Sequence, residues 1–260
     1  MTEESLYQQL RSHLANLRLT TAMELLAETL DYARENELGN IAFLERLLSH
    51  EVKSAELRRT RTLERFATLP APWRLEDFDF EFNKSIDKSM VMELATLKFL
   101  EDATNILMIG PPGVGKTMLA VCMARKSIEA GFRTHYTTAA RLAGRCHKAA
   151  IEGRWSNLMD FYSSPRLLVI DEIGYLPLPE EAATALFHVI TARYMKSSTI
   201  LTTNLGISSW GRLFQDPMVA AALLDRVLHR SVVFNITGDS YRMRSYQARS
   251  KALVQGGDSL

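Results

Sequence analysis

The chain has 260 residues, 47% of them hydrophobic, and its 31 basic and 30 acidic side chains give a net charge of +1. This length suffices for one nucleotide-binding domain of ordinary size and a smaller second domain, and the balanced charge gives no global signal for nucleic acid. The two cysteines lack disulfide-framework and metal-ligand spacing, and the sequence shows neither a signal-peptide pattern nor an apolar run of membrane-spanning length, so we predict a cytoplasmic protein without a membrane segment.

Residues 1–69 are predicted to form a small domain of helices. Thr21 and Glu24 have the spacing of a capping box before an apolar helical stripe, and Asn40 is placed to cap the next helix. That helical pattern continues to about Leu69, where two prolines end it. The segment carries no nucleophile–base pair and no cluster of metal ligands. We therefore predict a docking domain that binds DNA or a protein.

A linker rich in aromatic residues is predicted at 70–85. Its rings could border the adenine of a nucleotide, or they could seal the junction between two domains, and the second interpretation is preferred. A helix is predicted over 86–100, where a larger domain, 86–260, begins. The aromatic residues of the linker are Trp73, Phe78, Phe80 and Phe82.

A phosphate-binding loop lies between a predicted strand at 106–109 and a predicted helix at 118–130. Its eight residues match the pattern G-x-x-x-x-G-K-[S/T] in full, and glycines at these positions let the backbone N–H groups turn toward phosphates. Lys116 is predicted to reach the outer phosphates of ATP, and the Thr117 hydroxyl is predicted to bind Mg²⁺. The residues predicted to surround the nucleotide are Gly110, Pro111, Pro112, Gly113, Val114, Gly115, Lys116, Thr117 and Met118.

Basic side chains follow the next predicted strand, 134–137, on a helical pattern at 139–153. Clusters of this kind often supply the phosphate contacts of nucleic-acid-binding proteins, but they can equally form a solvated helix face. Two other stretches of the chain have the same character. The three clusters are Lys53, Arg58, Arg59, Arg61 and Arg65; Arg125, Lys126, Arg133, Arg141, Arg145, Lys148 and Arg154; and Arg242, Arg244, Arg249 and Lys251.

Two acids end the third predicted strand, 167–171. Asp171 and Glu172 follow a buried apolar run, as in a Walker B strand, and Gly174 and Pro177 then turn the chain away. Asp171 is predicted to contribute to the Mg²⁺ site and to the nucleotide site. Glu172 is predicted to orient and polarise the attacking water.

A fourth predicted strand, 199–203, ends in Asn204. Ligands of parallel α/β sheets bind at the carboxyl ends of the strands, so this amide could reach the terminal phosphate or the water. Alternatively, it simply opens the turn before Gly206. With a fifth strand at 231–236, the alternation of strands and helices predicts a parallel sheet covered by helices on both faces, the α/β fold of a P-loop NTPase.

Arg226 and Arg230 lie four residues apart in a helical pattern just before the fifth strand. An arginine projecting from this position could reach the terminal phosphate of a nucleotide bound to a neighbouring subunit and stabilise the transition state. A salt bridge on the helix surface is the alternative.

Taken together, several motifs make the chain resemble the IstB transposition helper proteins, which are AAA+ ATPases related to the helicase loader DnaC and the initiator DnaA. The resemblance covers essentially the whole chain, and the last of the motifs is more specific than the Walker elements. The motifs are Gly110 to Thr117, Leu167 to Tyr175, Thr202-Thr203-Asn204, Asp225 to Ser231 and Gly238 to Arg242.

The resemblance implies a function and further site residues. Proteins of this kind assemble on duplex DNA with ATP and little sequence preference, deform the DNA, and recruit and stimulate a transposase. It places Arg226 on the arginine finger of a homo-oligomer with ATP sites at its subunit interfaces, and Arg242 on a second arginine that contacts nucleotide. The short tail after Arg242 implies an AAA+ domain without a C-terminal helical lid. DNA contacts are implied for the helix after the second strand, with Arg141, Arg145, Lys148 and Arg154 as candidates.

Two alternatives remain open at this point. A helicase loader uses the same ATPase core but binds a helicase and single-stranded DNA, and aromatic residues among the basic ones would favour single strands. A nucleotide-gated adaptor would instead bind only a protein partner. The aromatic residues near the basic cluster are Tyr136, Trp155, Phe161 and Tyr162.

Overall fold

The computed structural model describes residues 2–174, 180–212, 214 and 216–243. The chain divides into two compact units, Met1–Thr62 and Leu63–Leu260. Among the described residues, no helix has the length and apolar character needed to cross a membrane. Some residues named above lie outside the described part of the chain, namely Tyr175, Pro177, Arg244, Arg249 and Lys251.

The first unit is built from helices, as predicted. They are α1 (Glu3–Asn16), α2 (Thr20–Glu35) and α3 (Asn40–Ala67), the last of which continues into the second unit. Apolar side chains from all three helices form a small core, whose fully buried members are Leu14, Ala22, Leu26 and Leu47.

The predicted capping box at Thr21 and Glu24 is wrong. The N-cap of α2 is Leu19, two residues before Thr21, and its side chain accepts no hydrogen bond. Instead, the Ala22 N–H donates to the carboxylate of Glu51 on α3 at 2.9 Å, and Arg58 pairs with the same carboxylate at 2.6 Å. Burial raises the pKa of Glu51, but these donors outweigh burial and hold the pKa below its ordinary value. A carboxylate distant in sequence therefore caps the helix.

The second unit contains a sheet of five parallel strands in the order β2-β3-β4-β1-β5. This confirms the predicted fold class, and each strand begins and ends within two residues of its predicted bounds. The strands are β1 (Asn105–Ile109), β2 (Thr134–Thr138), β3 (Leu167–Ile173), β4 (Ser198–Thr203) and β5 (Ser231–Asn235).

Helices cover both faces of this sheet. Successive residues of β3 alternate between two cores, with Leu167 and Val169 in one and Leu168 and Ile170 in the other, because side chains of a strand point to opposite faces in turn. The first core also contains residues of α4 (Lys88–Leu94), α5 (Lys98–Glu101) and α6 (Lys116–Glu129). The second contains residues of α7 (Ala139–Ile151), α8 (Trp155–Ser163), α9 (Glu180–Arg193) and α10 (Pro217–Leu228).

Two helix predictions in this unit need correction. The single helix expected over 86–100 is interrupted at Leu97, whose backbone is left-handed with φ +66°, so that α4 and α5 are separate. Arg230 does not share a helix face with Arg226, because α10 ends at Leu228 and the chain turns there to enter β5. The Arg230 guanidinium instead donates to the Asp102 carbonyl at 3.1 Å.

Candidate ATP site

The phosphate-binding loop connects β1 to α6 at the carboxyl edge of the sheet. Gly113 and Gly115 have φ values of +86° and +105°, a conformation that side chains other than glycine rarely adopt. Gly115 directly precedes the first residue of α6, so the loop delivers the chain to a helix N-terminus, where free N–H groups favour an anion.

The chain after β5 packs directly on this loop. A Cβ atom at Gly110 would lie 2.2 Å from the Ile236 carbonyl oxygen, and one at Gly113 would lie 2.1 Å from the Ser240 hydroxyl. The Tyr241 N–H also donates to the Gly113 carbonyl at 2.9 Å. Both glycines are therefore needed for close approach, and Gly113 is needed for its backbone conformation as well.

Lys116 is folded back on its own loop. Its ammonium donates to the carbonyls of Gly110 and Pro111 at 2.7 and 2.8 Å. Burial lowers its pKa; the charge of Asp171 opposes this effect, and that of Arg242 adds to it. The lysine thus lies between the loop, the third strand and the end of the described chain.

The carboxylate of Asp171 is buried among three hydroxyls from three different elements. Thr117 on α6 donates to Oδ1 at 3.2 Å, Thr202 on β4 donates to the same oxygen, and Tyr136 on β2 donates to Oδ2 at 2.6 Å. Burial and the bond to Asp171 both raise the pKa of the Tyr136 phenol, so it is a proton donor here. The sequence predicted Thr117 at this site but not Thr202 or Tyr136, because the contacts of these two depend on the order of strands in the sheet.

Glu172 is exposed and has an unusual backbone conformation. Its φ is +63°, and the pairing of β3 with β4 shifts register between Ile170 and Ile173. Its N–H donates to the Thr202 hydroxyl at 3.0 Å. Left-handed backbone at a residue other than glycine is costly and is concentrated at functional sites.

Asn204 follows β4 at the same edge of the sheet. The carbonyl of the preceding Thr203 accepts a bond from the Gly110 N–H at 3.1 Å, which places the start of this turn beside the phosphate-binding loop. The side-chain oxygen of Asn204 is buried, and no hydrogen-bond donor reaches it from the described residues.

A cavity of about 290 Å³ lies beside the loop. Its walls combine aromatic residues of the 70–85 segment with the loop, the start of α6 and the chain after β5. The aromatic segment thus forms part of the cavity wall. This favours the interpretation that its rings border the adenine of a nucleotide, whereas the sequence alone favoured a sealed junction between two domains. The residues that line the cavity include Trp73, Phe78, Phe82, Gly113, Gly115, Lys116, Thr117, Met118, Tyr241 and Arg242.

The two arginines assigned by resemblance occupy different places. Arg242 lines the cavity, whereas Arg226 on α10 does not. The Arg226 guanidinium lies 5.2 Å from the centre of the Phe187 ring and donates to the Ala222 carbonyl at 2.8 Å. Among the side chains that the structure describes, no carboxylate lies within 4.0 Å of it, so the surface salt bridge considered for Arg226 is not found there.

The basic residues of the 139–154 region differ in how they are engaged. Arg141 is exposed, and its guanidinium has no hydrogen-bond or ion-pair partner among the described residues. Arg145 stacks 4.4 Å from the centre of the Phe161 ring and donates to the Tyr162 hydroxyl. The remaining two basic residues share one carboxylate, with Glu152 at 3.8 Å from Lys148 and at 2.9 Å from Arg154.

A parallel sheet that brings a phosphate-binding loop and a buried aspartate–threonine pair to one edge defines a P-loop ATPase of the AAA+ class. Solved structures support this fold: AMPPCP-bound DnaA from Aquifex aeolicus matches with a TM-score of 0.53 and 21% identity, covering 64% of this chain and 51% of that one. The structure of DnaI matches with a TM-score of 0.55 and 16% identity, covering 64% and 92%. At such identities the likeness concerns the fold alone.

Sequence comparison identifies the particular family. The model of the IstB-like ATP binding protein family matches residues 12–251, and the chain belongs to that family. The putative ATP-binding protein of insertion sequence IS232 from Bacillus thuringiensis subsp. berliner is 38% identical over 240 residues, 92% of this chain and 96% of the relative. The corresponding protein of IS21 from Pseudomonas aeruginosa is 39% identical over 231 residues, 89% and 87% of the two chains. The chain is thus an ATP-binding helper of the kind associated with IS21-family transposition, as the motifs predicted.

Proposed function

We propose that this protein is an ATP-dependent DNA-binding transposition helper, which assembles on duplex DNA, remodels it, and recruits or stimulates its partner transposase. ATP hydrolysis would regulate the complex. The observation that carries the ATPase part of the proposal is the joint placement of Lys116, the Thr117–Asp171 pair and the left-handed Glu172 at one edge of the sheet. Membership in a family of insertion-sequence proteins supports the partner and favours the helper over a helicase loader.

The nucleotide would be held by the loop and the cavity beside it. The loop N–H groups and Lys116 would bind the phosphates, the ammonium exchanging its two carbonyl acceptors for phosphate oxygens. The aromatic wall would border the adenine, and Arg242 would contact the nucleotide from the same cavity.

Mg²⁺ would be held by Thr117 and Asp171. Their oxygens are 3.2 Å apart, and Mg²⁺ typically takes only one or two protein ligands when substrate phosphates and water complete its shell. This agrees with the finding that the described residues contain no group of three or more His, Cys, Asp or Glu side chains suited to a metal. When bound, the ion would neutralise charge on the phosphates.

Hydrolysis would use residues around that pair. Glu172 would take a proton from the attacking water, and Asn204, whose side-chain oxygen lacks a partner among the described residues, would orient the water or the terminal phosphate. Lys116 would stabilise the charge that develops on the transferred phosphoryl group.

Arg226 would act on the ATP site of a neighbouring subunit. It is half-buried on α10, has no carboxylate partner among the described side chains, and is not part of its own chain's cavity. An arginine supplied by another subunit stabilises transition-state charge in related phosphoryl-transfer enzymes. Activity would therefore require a homo-oligomer.

DNA would be bound through its backbone by α7 and by Arg154, which lies three residues after the end of α7. Arg141 is the strongest candidate because its charge is unpaired within the described structure, while Lys148 and Arg154 are partly neutralised by Glu152. Arg145 would present its guanidinium on an aromatic support. Backbone contacts accommodate many target sequences, as a helper requires. The helical first unit would be the docking module for DNA or the transposase.

Binding to DNA in each nucleotide state tests the proposal. Labelled duplex of about 60 base pairs, roughly six helical turns, and the matching single strand would be mixed with protein and ATP, ADP or no nucleotide, while the mass of the complex is measured. We expect ATP-dependent assembly on the duplex, prolonged by Glu172→Gln because this variant would bind ATP without hydrolysing it. Preference for the single strand would instead support a helicase loader, and no binding to either DNA would support a protein-only adaptor.

A further inference from the structure

One hydroxyl connects the two acids at the end of β3. Thr202 on the neighbouring strand β4 donates its single hydroxyl proton to Oδ1 of Asp171, and its oxygen accepts the N–H of Glu172 at 3.0 Å. The directions are fixed by chemistry, because a backbone N–H can only donate and a carboxylate can only accept. The chain of bonds therefore runs from the Glu172 backbone through Thr202 to the Asp171 carboxylate.

The conformation of Glu172 depends on an acceptor at this position. The register shift between Ile170 and Ile173 disrupts the regular ladder between β3 and β4, and a residue inserted in this way is left without its usual ladder partner. The hydroxyl of Thr202 replaces that partner for the Glu172 N–H. The backbone of Glu172 is left-handed here, with φ +63°. This conformation is costly and persists only where contacts with the surrounding structure stabilise it.

The other two hydroxyls at Asp171 do not have this double contact. The hydroxyls of Thr117 and Tyr136 donate to the carboxylate, but the structure shows neither of them bonded to Glu172. Thr202 is itself buried, with 1% of its surface exposed, and lies in the middle of the sheet between β1 and β3. Its hydroxyl thus has a fixed position from which to hold both acids.

We propose that Thr202 is a positioning residue for ATP hydrolysis, which sets the orientation of the Asp171 carboxylate and the backbone conformation of Glu172 together. The inference rests on the proposed roles of these two acids. It assigns no contact with nucleotide to Thr202. Its loss would therefore affect the hydrolytic step more than the binding of ATP.

Substitutions at Thr202 separate positioning from packing. Thr202→Val keeps the shape of the side chain but removes both hydrogen bonds, and Thr202→Ser keeps the hydroxyl. We expect Thr202→Val to lower the turnover number about tenfold or more while the affinity for a fluorescent ATP analogue stays within about twofold, and Thr202→Ser to recover turnover to within about threefold of the unaltered protein.

The matched control is Thr199→Val in the same strand. Thr199 is equally buried, but its hydroxyl accepts a bond from the buried Arg193 at 3.0 Å, at the amino end of β4 and away from the acids. Thr199→Val should lower the melting temperature without changing turnover per folded molecule. The comparison shows whether loss of a buried threonine hydroxyl is by itself enough to slow hydrolysis.

Three results would overturn the inference: unchanged turnover in Thr202→Val, a Ser variant as slow as the Val variant, or turnover and nucleotide affinity falling together. If Thr202→Val does not fold, Thr202→Cys, with a weakly bonding thiol, is judged by the same criteria. Glu172→Gln is measured alongside. Full turnover in that variant would contradict the proposed role of Glu172 itself, so the two failures remain distinguishable.

Discussion

Individual atoms at the phosphate-binding loop explain why the motif requires glycine. The first glycine of the motif, Gly110, does not have a positive φ, yet a Cβ there would meet the backbone of Ile236 at 2.2 Å. Backbone cannot move aside as a flexible side chain can. The constraint comes from the chain after β5, so the motif and the distant tail are parts of one packed structure.

This packing predicts a large effect of Gly110→Ala. Overpacking of this kind typically costs about 1–3 kcal/mol, and we expect a comparable loss in the free energy of unfolding together with weaker ATP binding. Gly144→Ala is the control, because a Cβ at Gly144 on α7 would have nothing within 4 Å, and alanine in a helix is more stable than glycine by roughly 0.5–1 kcal/mol. Chemical denaturation and nucleotide titration of both variants measure the effects. Equal stability of the two would contradict the account.

His135 is a buried group that makes stability depend on pH. Its Nδ1 lies 2.9 Å from the Phe66 carbonyl, which can only accept, so this nitrogen carries a hydrogen. Burial lowers the pKa below its ordinary value of 6.5; the carbonyl opposes this, and Arg145 and Arg133 add to it. The unfolded chain therefore takes up a proton near pH 6.5, before the folded protein does. Stability from neutral His135 is present above pH 6.5 and is lost as the pH falls below it.

His135→Gln should reduce this pH dependence. The glutamine amide can still donate to the Phe66 carbonyl but does not titrate. We expect the fall in melting temperature between pH 7.5 and pH 5.5 to be smaller in this variant than in the unaltered protein. His147→Gln, at an exposed site on α7, should leave the fall unchanged. Identical pH profiles for His135→Gln and the unaltered protein would rule out the histidine as the cause.

At this scale the sequence predicts those residues that belong to a recognisable local motif. Lys116, Thr117, Asp171 and Glu172 belong to local motifs with known chemistry, so they could be named in advance. Thr202 could not be assigned a role, because its contacts cross from β4 to β3, and the sheet order that makes these strands neighbours is not written in any local pattern.

One acidic residue after helix α7 determines which basic side chains of this region have a carboxylate partner. Glu152 lies within 4.0 Å of both Lys148 and Arg154, whereas Arg141 at the other end of α7 has no such partner among the described residues. The spacing predicted the helix and its basic side chains. The division of charge among them depends on the turn after α7 and became clear only in the structure.

If α7 binds the DNA backbone, the paired and unpaired cations should differ in their contributions. We expect Arg141→Ala to reduce the slope of log affinity against log salt by about 0.9, the value for one phosphate contact, and Lys148→Ala to reduce it by less. Glu152→Gln should strengthen binding at low salt by a few-fold, since surface ion pairs are worth about 1 kcal/mol or less. Lys196→Ala, at an exposed position between α9 and β4, is the control. A larger slope change for Lys148 than for Arg141 would contradict this ranking.

Elements with regular apolar patterns were predictable, and those with backbone irregularities were not. All five strands were placed within two residues, because buried parallel strands appear as short apolar runs. The break at Leu97 and the carboxylate cap of α2 were missed, since the first depends on a left-handed residue and the second on a contact between Ala22 and Glu51, far apart in sequence.

At the scale of the whole molecule, the proposed mechanism divides the ATP site between two copies of the chain. The Thr117 hydroxyl of α6 bonds to Asp171 within one subunit, whereas Arg226 lies on α10 and packs against the Phe187 ring. Under the proposed mechanism, each active site needs Glu172 from one copy and Arg226 from a neighbour. Hydrolysis is then a property of the assembly.

Mixing two inactive variants tests this claim most directly. Glu172→Gln and Arg226→Ala would each be inactive alone while still binding ATP, and an equal mixture would be assayed for ATP hydrolysis on DNA. Random assembly places an intact Glu172 beside an intact Arg226 at about a quarter of the interfaces, so we predict roughly a quarter of the unaltered turnover. A mixture of Arg226→Ala with the double variant should remain inactive, because no finger is present. A first mixture no more active than its components, or an Arg226→Ala protein with normal turnover alone, would contradict the account.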